Sequence, residues 1–143
     1  MSRQEQRGRD LYRFFITIST RWADNDAYGH VNNAIFYQWF DTAVNQWLIE
    51  HGLLDLYAGD PIGLVVETGC TYFASLSYPG DVEVGIAVDR LGSSSVTYRI
   101  GVFAEEAGNP AAQGYFTHVY VDRDSRRPVP LPGTWRAKLA MLA

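Results

Sequence analysis

An α+β fold, with a curved antiparallel sheet wrapped around one long helix, is what this sequence predicts. Three observations carry that expectation. Apolar residues recur at helical spacing over one stretch, residues 33–51. Strand-like alternation fills most of the remainder, in segments set off by Gly, Pro, Asn and Asp. A length of 143 residues suits a single domain, 1–143, because two independent cores would each be too small.

The elements follow in chain order. Residues 1–10 are polar and expected to be flexible. Tyr12, Phe14, Ile16, Ile18, Thr20 and Trp22 then alternate with Arg13, Thr17, Ser19 and Arg21, the pattern of a half-buried strand, with Phe15 on the polar side. Turn formers crowd Asp24 to Asn32 around Gly29, which reads as a loop. From Asn33 to His51 the period changes: Phe36, Phe40, Ala43, Val44, Trp47 and Leu48, with Trp39 beside them, make one broad apolar face. Asn32 suits the N-cap and Gly52 the C-terminal stop, giving about five turns at ~3.6 residues each.

Four strands complete the order β-α-β-β-β-β. Ile62 to Leu76, rich in Val, Thr, Tyr and Phe, ends at the turn Tyr78-Pro79-Gly80-Asp81. Val82, Val84, Ile86 and Val88 alternate with Glu83, Gly85, Ala87 and Asp89. Gly92 to Ser95 turns the chain into Val96, Tyr98, Ile100 and Val102, and Gly108-Asn109-Pro110 turns it into Ala111 to Asp122. Tight turns imply that these four strands form an antiparallel meander. The segment 123–143 reads as a basic, proline-rich tail.

Composition narrows the function. The apolar fraction of 47% and charged fraction of 20% are those of a soluble globular protein. A net charge of −4 argues against a nucleic-acid partner bound through a broad basic field. Eleven of the twelve basic residues are Arg, which favours bidentate phosphate contacts at a few points. The single Cys70 allows neither an internal disulfide nor a multi-cysteine metal site. With no secretory-type start and no run of membrane-spanning length, a cytoplasmic protein without membrane insertion is expected.

The densest group of polar residues is Asp24-Asn25-Asp26-Ala27-Tyr28-Gly29-His30-Val31-Asn32-Asn33, between the first strand and the helix. A calcium loop is excluded: Tyr28 and Ile35 would stand where oxygen ligands are required, and a strand precedes it. The first N–H groups of a helix lack internal partners and carry the positive end of its dipole. Aimed at a carbonyl oxygen, they would stabilise the charge that develops in acyl transfer. Asp26, seven residues before Asn33, can fold back to that terminus and either attack an activated acyl group or draw a proton from water. The plain alternative is a polar loop whose Asp and Asn side chains only make turns and a cap.

The run from Arg21 through Asn33, followed by Tyr37, Phe40 and Asp41, resembles the signature of the 4-hydroxybenzoyl-CoA thioesterase-like family. Val65-Val66-Glu67 and Gly80-Asp81-x-Val agree with it, and the similarity runs from about Tyr12 to Pro130. The resemblance implies a hotdog fold, a homodimer or homotetramer with sites between subunits, and hydrolysis of an acyl-CoA to free acid and coenzyme A. It implies that Asp26 is the catalytic carboxylate and the Asn33 backbone N–H the donor to the thioester carbonyl. It implies no metal and no cofactor, coenzyme A being part of the substrate.

Substrate contacts are expected from Tyr28, Gly29 and His30 in the same loop. Some family members carry a basic hairpin before the fourth strand to meet the nucleotide phosphates; here it is Gly92-Ser93-Ser94-Ser95. Ser93, Ser94 and Ser95 offer hydroxyls and N–H groups without charge, and Arg123, Arg126 and Arg127 are expected to compensate across a dimer. An acyl carrier protein substrate, or a non-enzymatic acyl-CoA sensor, are the alternatives. Asp24 is expected to tie the loop to Arg21 or to backbone N–H groups, Asn32 to cap the helix and Glu67 to make a structural hydrogen bond. Cys70 is expected to lie in the core or an interface and Asp41 to be a solvated or interface carboxylate, while the isolated His51 and His118 suggest no metal site. No Gly-x-Ser-x-Gly elbow is present, which removes the common serine esterase.

Overall fold

The computed structural model describes residues 6–143. Its elements are β1 (Phe14–Ser19), α1 (Asn33–Glu50), β2 (Ile62–Tyr72), β3 (Asp81–Leu91), β4 (Ser95–Ala104), β5 (Ala112–Val121) and α2 (Gly133–Leu139), with short 3-10 turns at Arg9–Leu11, Trp22–Asp24 and Ala140–Leu142. The five strands form one antiparallel sheet in the order β1-β3-β4-β5-β2. The sheet clasps α1, the hotdog arrangement expected from the motif.

The helix buries the face its spacing dictates: Phe36, Trp39, Phe40, Ala43, Val44, Trp47 and Leu48. Against them lie the inward residues of the sheet, Val82, Val84 and Ile86 on β3 and Val96, Tyr98, Ile100 and Val102 on β4, all essentially without exposure. Burial of this apolar area is the main stabilising term, roughly 25 cal/mol for each Å² removed from water. Phe40 settles directly on Gly114 of β5, where a Cβ would press on its ring and on the Gly69 carbonyl oxygen. Glycine there lets helix and sheet approach closely.

Four expectations are corrected. Only β3, β4 and β5 form a meander; β2 crosses to the far edge and pairs with β5, Ile62 opposite Val121 and Tyr72 opposite Ala112. Tyr78-Pro79-Gly80-Asp81 therefore ends a crossover rather than a hairpin. The first strand is shorter than its alternation suggests. Tyr12 packs with Phe15, Ala87 and Phe103 on the outer face of the sheet, and Trp22 is 76% exposed. The tail is not merely basic and proline-rich: it folds into α2, and Leu131, Leu139 and Leu142 join the main core.

Lys138 Nζ also donates to the His51 carbonyl at 2.8 Å, so α2 closes the C-terminal end of α1. Of the start expected to be flexible, residues 1–5 lie outside the described residues; Arg9 pairs with Glu83 at 2.9 Å and lies over the Phe103 ring. Among the described residues no helix is long and apolar enough to cross a membrane.

Candidate active site

The loop between β1 and α1 is built around a buried carboxylate. Asp24 is 1% exposed; its Oδ2 accepts from the Arg21 N–H at 2.7 Å, and its Oδ1 from Arg21 Nε and Nη2 at 3.0 and 2.8 Å. Its carbonyl accepts from the Asn32 N–H at 2.8 Å, so one residue fixes both ends of the loop. The loop is also tied to the chain before β3. The Val31 N–H donates to the Leu76 carbonyl, Ser77 Oγ to the Gly29 carbonyl and the Tyr78 N–H to Asn25 Oδ1.

Within this frame Asp26 turns its carboxylate back along the loop. Oδ1 accepts from the Tyr28 N–H at 2.8 Å and, at 3.4 Å, from the His30 N–H. Backbone bonds from the Asp26 N–H to His30 and from the Gly29 N–H to Asp26 close the turn, with Gly29 at φ 77°, a region that favours glycine. Among the described residues Oδ2 has no hydrogen bond, which leaves half of the carboxylate open to a ligand.

The helix start lies alongside. Asn32 caps α1, its Oδ1 accepting from the Ala34 N–H at 2.9 Å and its carbonyl from the Ile35 N–H. The Asn33 N–H has no partner among the described residues. Asn33 lines a cleft of about 280 Å³ together with His30, Val31, Phe36, Tyr72 and the 73–76 segment, and Asp26 is not part of that lining. The arrangement offers an unpaired N–H at a dipole's positive end and a half-free carboxylate on the loop that walls the same cleft.

Other residues singled out in the sequence are placed as follows. Tyr28 is 86% exposed and His30 lines the cleft. Ser93, Ser94 and Ser95 form the β3–β4 hairpin; the Ser93 carbonyl accepts from the Leu131 N–H and the Ser94 carbonyl from the Tyr120 N–H. Arg136 donates to the Gly92 and Ser93 carbonyls, so the tail braces this hairpin. Arg126 and Arg127 are exposed on the turn after β5, with no side-chain partner among the described residues.

Arg123 does not join them. Its guanidinium donates to the Gly59 and Tyr57 carbonyls and holds the loop before β2. Within one chain the serine hairpin and Arg126–Arg127 sit by Ile62 and Val121, while the Asp26 loop sits by Tyr72 and Ala112. Those ends are separated by the length of β2, about 33 Å at ~3.3 Å per residue.

Tyr115, Glu67, Cys70 and His118 lie outside this cleft. Tyr115 donates its hydroxyl to Glu67 on the exposed edge strand. Burial pushes the Cys70 thiol up to about 11, away from reactivity. His118, 4% exposed between Tyr98, Phe116 and Tyr120, is held down to about 4 by the same cause. Among the described residues no group of three or more His, Cys, Asp or Glu side chains is placed to hold a metal ion.

Sequence reading missed Tyr72, whose hydroxyl donates to the Asn33 carbonyl at 2.8 Å, and the tethers from Asn25 and Ser77. Their partners lie far along the chain, and no local spacing marks them.

The sequence profile of the thioesterase-like superfamily matches residues 20–139. Among solved structures, the chain is 50% identical to the PA5185 protein of Pseudomonas aeruginosa strain PAO1, with 96% of each chain covered and a TM-score of 0.92. It is 30% identical to the PA2801 protein of Pseudomonas aeruginosa, over 90% of this chain and 99% of that one, with a TM-score of 0.82. Slr0204, a 1,4-dihydroxy-2-naphthoyl-CoA thioesterase from Synechocystis, shares the fold at 22% identity and a TM-score of 0.79, over 88% of this chain and 94% of that one. Among curated proteins none matches.

Proposed function

The chain is a thioester hydrolase of the thioesterase-like superfamily, and on that premise we propose that it cleaves an acyl-CoA, with Asp26 and the Asn33 N–H performing the chemistry. The observation that supports this reading is that Asp26 and Asn33 belong to one loop and helix start bordering a single cleft. Among the described residues one oxygen of the Asp26 carboxylate and the Asn33 N–H have no partner, and the Asp26 loop feeds His30 and Val31 into the cleft that Asn33 lines.

In this mechanism the thioester carbonyl oxygen accepts from the Asn33 N–H, and the dipole of α1 stabilises the negative charge that grows there. Asp26 serves in one of two ways. As a base it draws a proton from water, whose oxygen bonds to the carbonyl carbon. As a nucleophile it bonds to that carbon itself, giving an anhydride that water then opens. In both, the carbon–sulfur bond breaks, coenzyme A leaves as a thiolate that gains a proton, and the free acid remains. Neither route calls on a metal or a bound cofactor.

The nucleotide end needs a second subunit. Among the described residues both sheet edges, β1 and β2, lack a partner strand on their outer side, and β2 exposes Val65 and Val66. An antiparallel β2–β2 contact centred on the strand sets Ile62 of one copy beside the Tyr72 end of the other. Arg126, Arg127 and the serine hairpin would then lie near the other subunit's Asp26 loop, placed for the phosphates of coenzyme A.

Release of free thiol from a panel of short, long and aromatic acyl-CoAs tests the reading. Turnover of at least one member is expected. A folded protein that releases thiol from none of them contradicts it, and release only from acylated carrier protein would move the substrate to that class.

A further inference from the structure

We propose that Tyr72 is a positioning residue for this reaction, its hydroxyl holding the first turn of α1 so that the Asn33 N–H faces the cleft. The inference rests on the thioester-hydrolase reading of the site. Tyr72 ends β2, and its hydroxyl donates to the Asn33 carbonyl at 2.8 Å. That carbonyl shares a peptide unit with the Ala34 N–H, which donates to Asn32 Oδ1 at 2.9 Å. The 33–34 peptide is thus clamped from two sides, by the sheet through Tyr72 and by the cap through Asn32.

The neighbouring N–H of Asn33 is aimed by the backbone angles that this clamp fixes. The ring of Tyr72 meets Phe36 edge-on, with centroids 5.1 Å apart, and both line the cleft. That contact fixes the direction in which the hydroxyl points. Burial, with Cys70 and Tyr37 nearby, raises the phenol above its ordinary range, so it stays a donor at any working pH.

The bond is not needed to satisfy the carbonyl. Asn33 begins the helix, and its C=O is in place to accept from the turn that follows. Nor does the hydroxyl depend on it, because Tyr37 and Cys70 lie within its hydrogen-bonding reach. A bond dispensable for polar satisfaction, placed one peptide from the candidate oxyanion donor, is explained by orientation.

Tyr72→Phe keeps the ring on Phe36 and removes only the hydroxyl. Steady-state thiol release should show kcat lowered about tenfold with KM within about twofold, the signature of an interaction made in the transition state. Affinity for an unreactive thioether analogue of the substrate should be unchanged. Tyr12→Phe, which removes a hydroxyl on the outer face of the sheet, away from the cleft and from β2, is the control and should behave as wild type.

An active wild type with kcat unchanged in Tyr72→Phe overturns the inference alone. So does a loss confined to KM, or one matched by Tyr12→Phe. A folded wild type inactive on every acyl-CoA overturns the hydrolysis reading and the inference with it.

Discussion

Asp24→Asn isolates what the buried carboxylate contributes to the loop. In the protein Oδ2 takes the Arg21 N–H at 2.7 Å and Oδ1 takes the guanidinium at 3.0 and 2.8 Å. An amide has one oxygen, so either orientation turns an NH₂ group towards one of these donors. In the orientation that keeps the backbone N–H bonded, the NH₂ faces the guanidinium, itself a donor, and is left buried without an acceptor, at a cost of about 1–3 kcal/mol. The lost ion pair adds little, because the Arg21 side chain is 65% exposed and water screens it. We expect a loss of roughly 2 kcal/mol, read as a lower urea midpoint with an unchanged slope at fixed protein concentration. Turnover should fall less than in an Asp26 variant, since the Asp24 carbonyl still accepts from the Asn32 N–H. A stability loss under about 0.5 kcal/mol, well below the cost of an unmade buried bond, would refute the reasoning.

Replacing Arg126 and Arg127 together with Ala should raise KM for acyl-CoA, more at low salt than at high salt, and leave a thioester lacking the nucleotide unaffected; equal effects on both substrates would count against phosphate recognition. Sedimentation at micromolar concentration should find a dimer or a larger closed assembly, and an active monomer would contradict the β2 contact. His118 gives a pH dependence. With its folded value near 4 and its unfolded value near 6.5, the unfolded chain binds the extra proton between them. Stability is therefore full above about pH 6.5 and falls on acidification towards pH 4, by an amount on the order of 3 kcal/mol. His118→Phe should flatten that part of the profile, and an unaltered slope in the variant would show that other groups cause it.

Local pattern made the helix and all five strands legible, β1 and β2 with longer bounds than the structure has. The face of α1 is the set of residues at its apolar spacing, Asn32 caps as its position suggests, and Gly92 to Ser95 turns β3 into β4. Pairing over distance was less legible. Nothing in Ile62 to Tyr72 says that it lies beside β5, and the turn formers at Tyr78 to Asp81 suit a crossover as well as a hairpin. In the tail, prolines and arginines obscured a weak helical signal, Trp135, Leu139 and Leu142, whose apolar side chains nevertheless seal the end of the core. The Asp26 loop stood out because its residue types are dense and its motif specific. Tyr72 did not, because its role depends on a hydrogen bond across 39 positions of sequence.

The central claim is that the Asp26 carboxylate performs the chemistry, and Asp26→Asn tests it most directly. The substitution keeps size, and its amide oxygen can still accept from the Tyr28 N–H, so the loop should persist. With folding checked alongside, kcat on the best acyl-CoA should fall about 100-fold or more, the scale of lost general-base assistance, while substrate affinity changes little. Near-normal turnover by a folded Asp26→Asn variant would contradict the account.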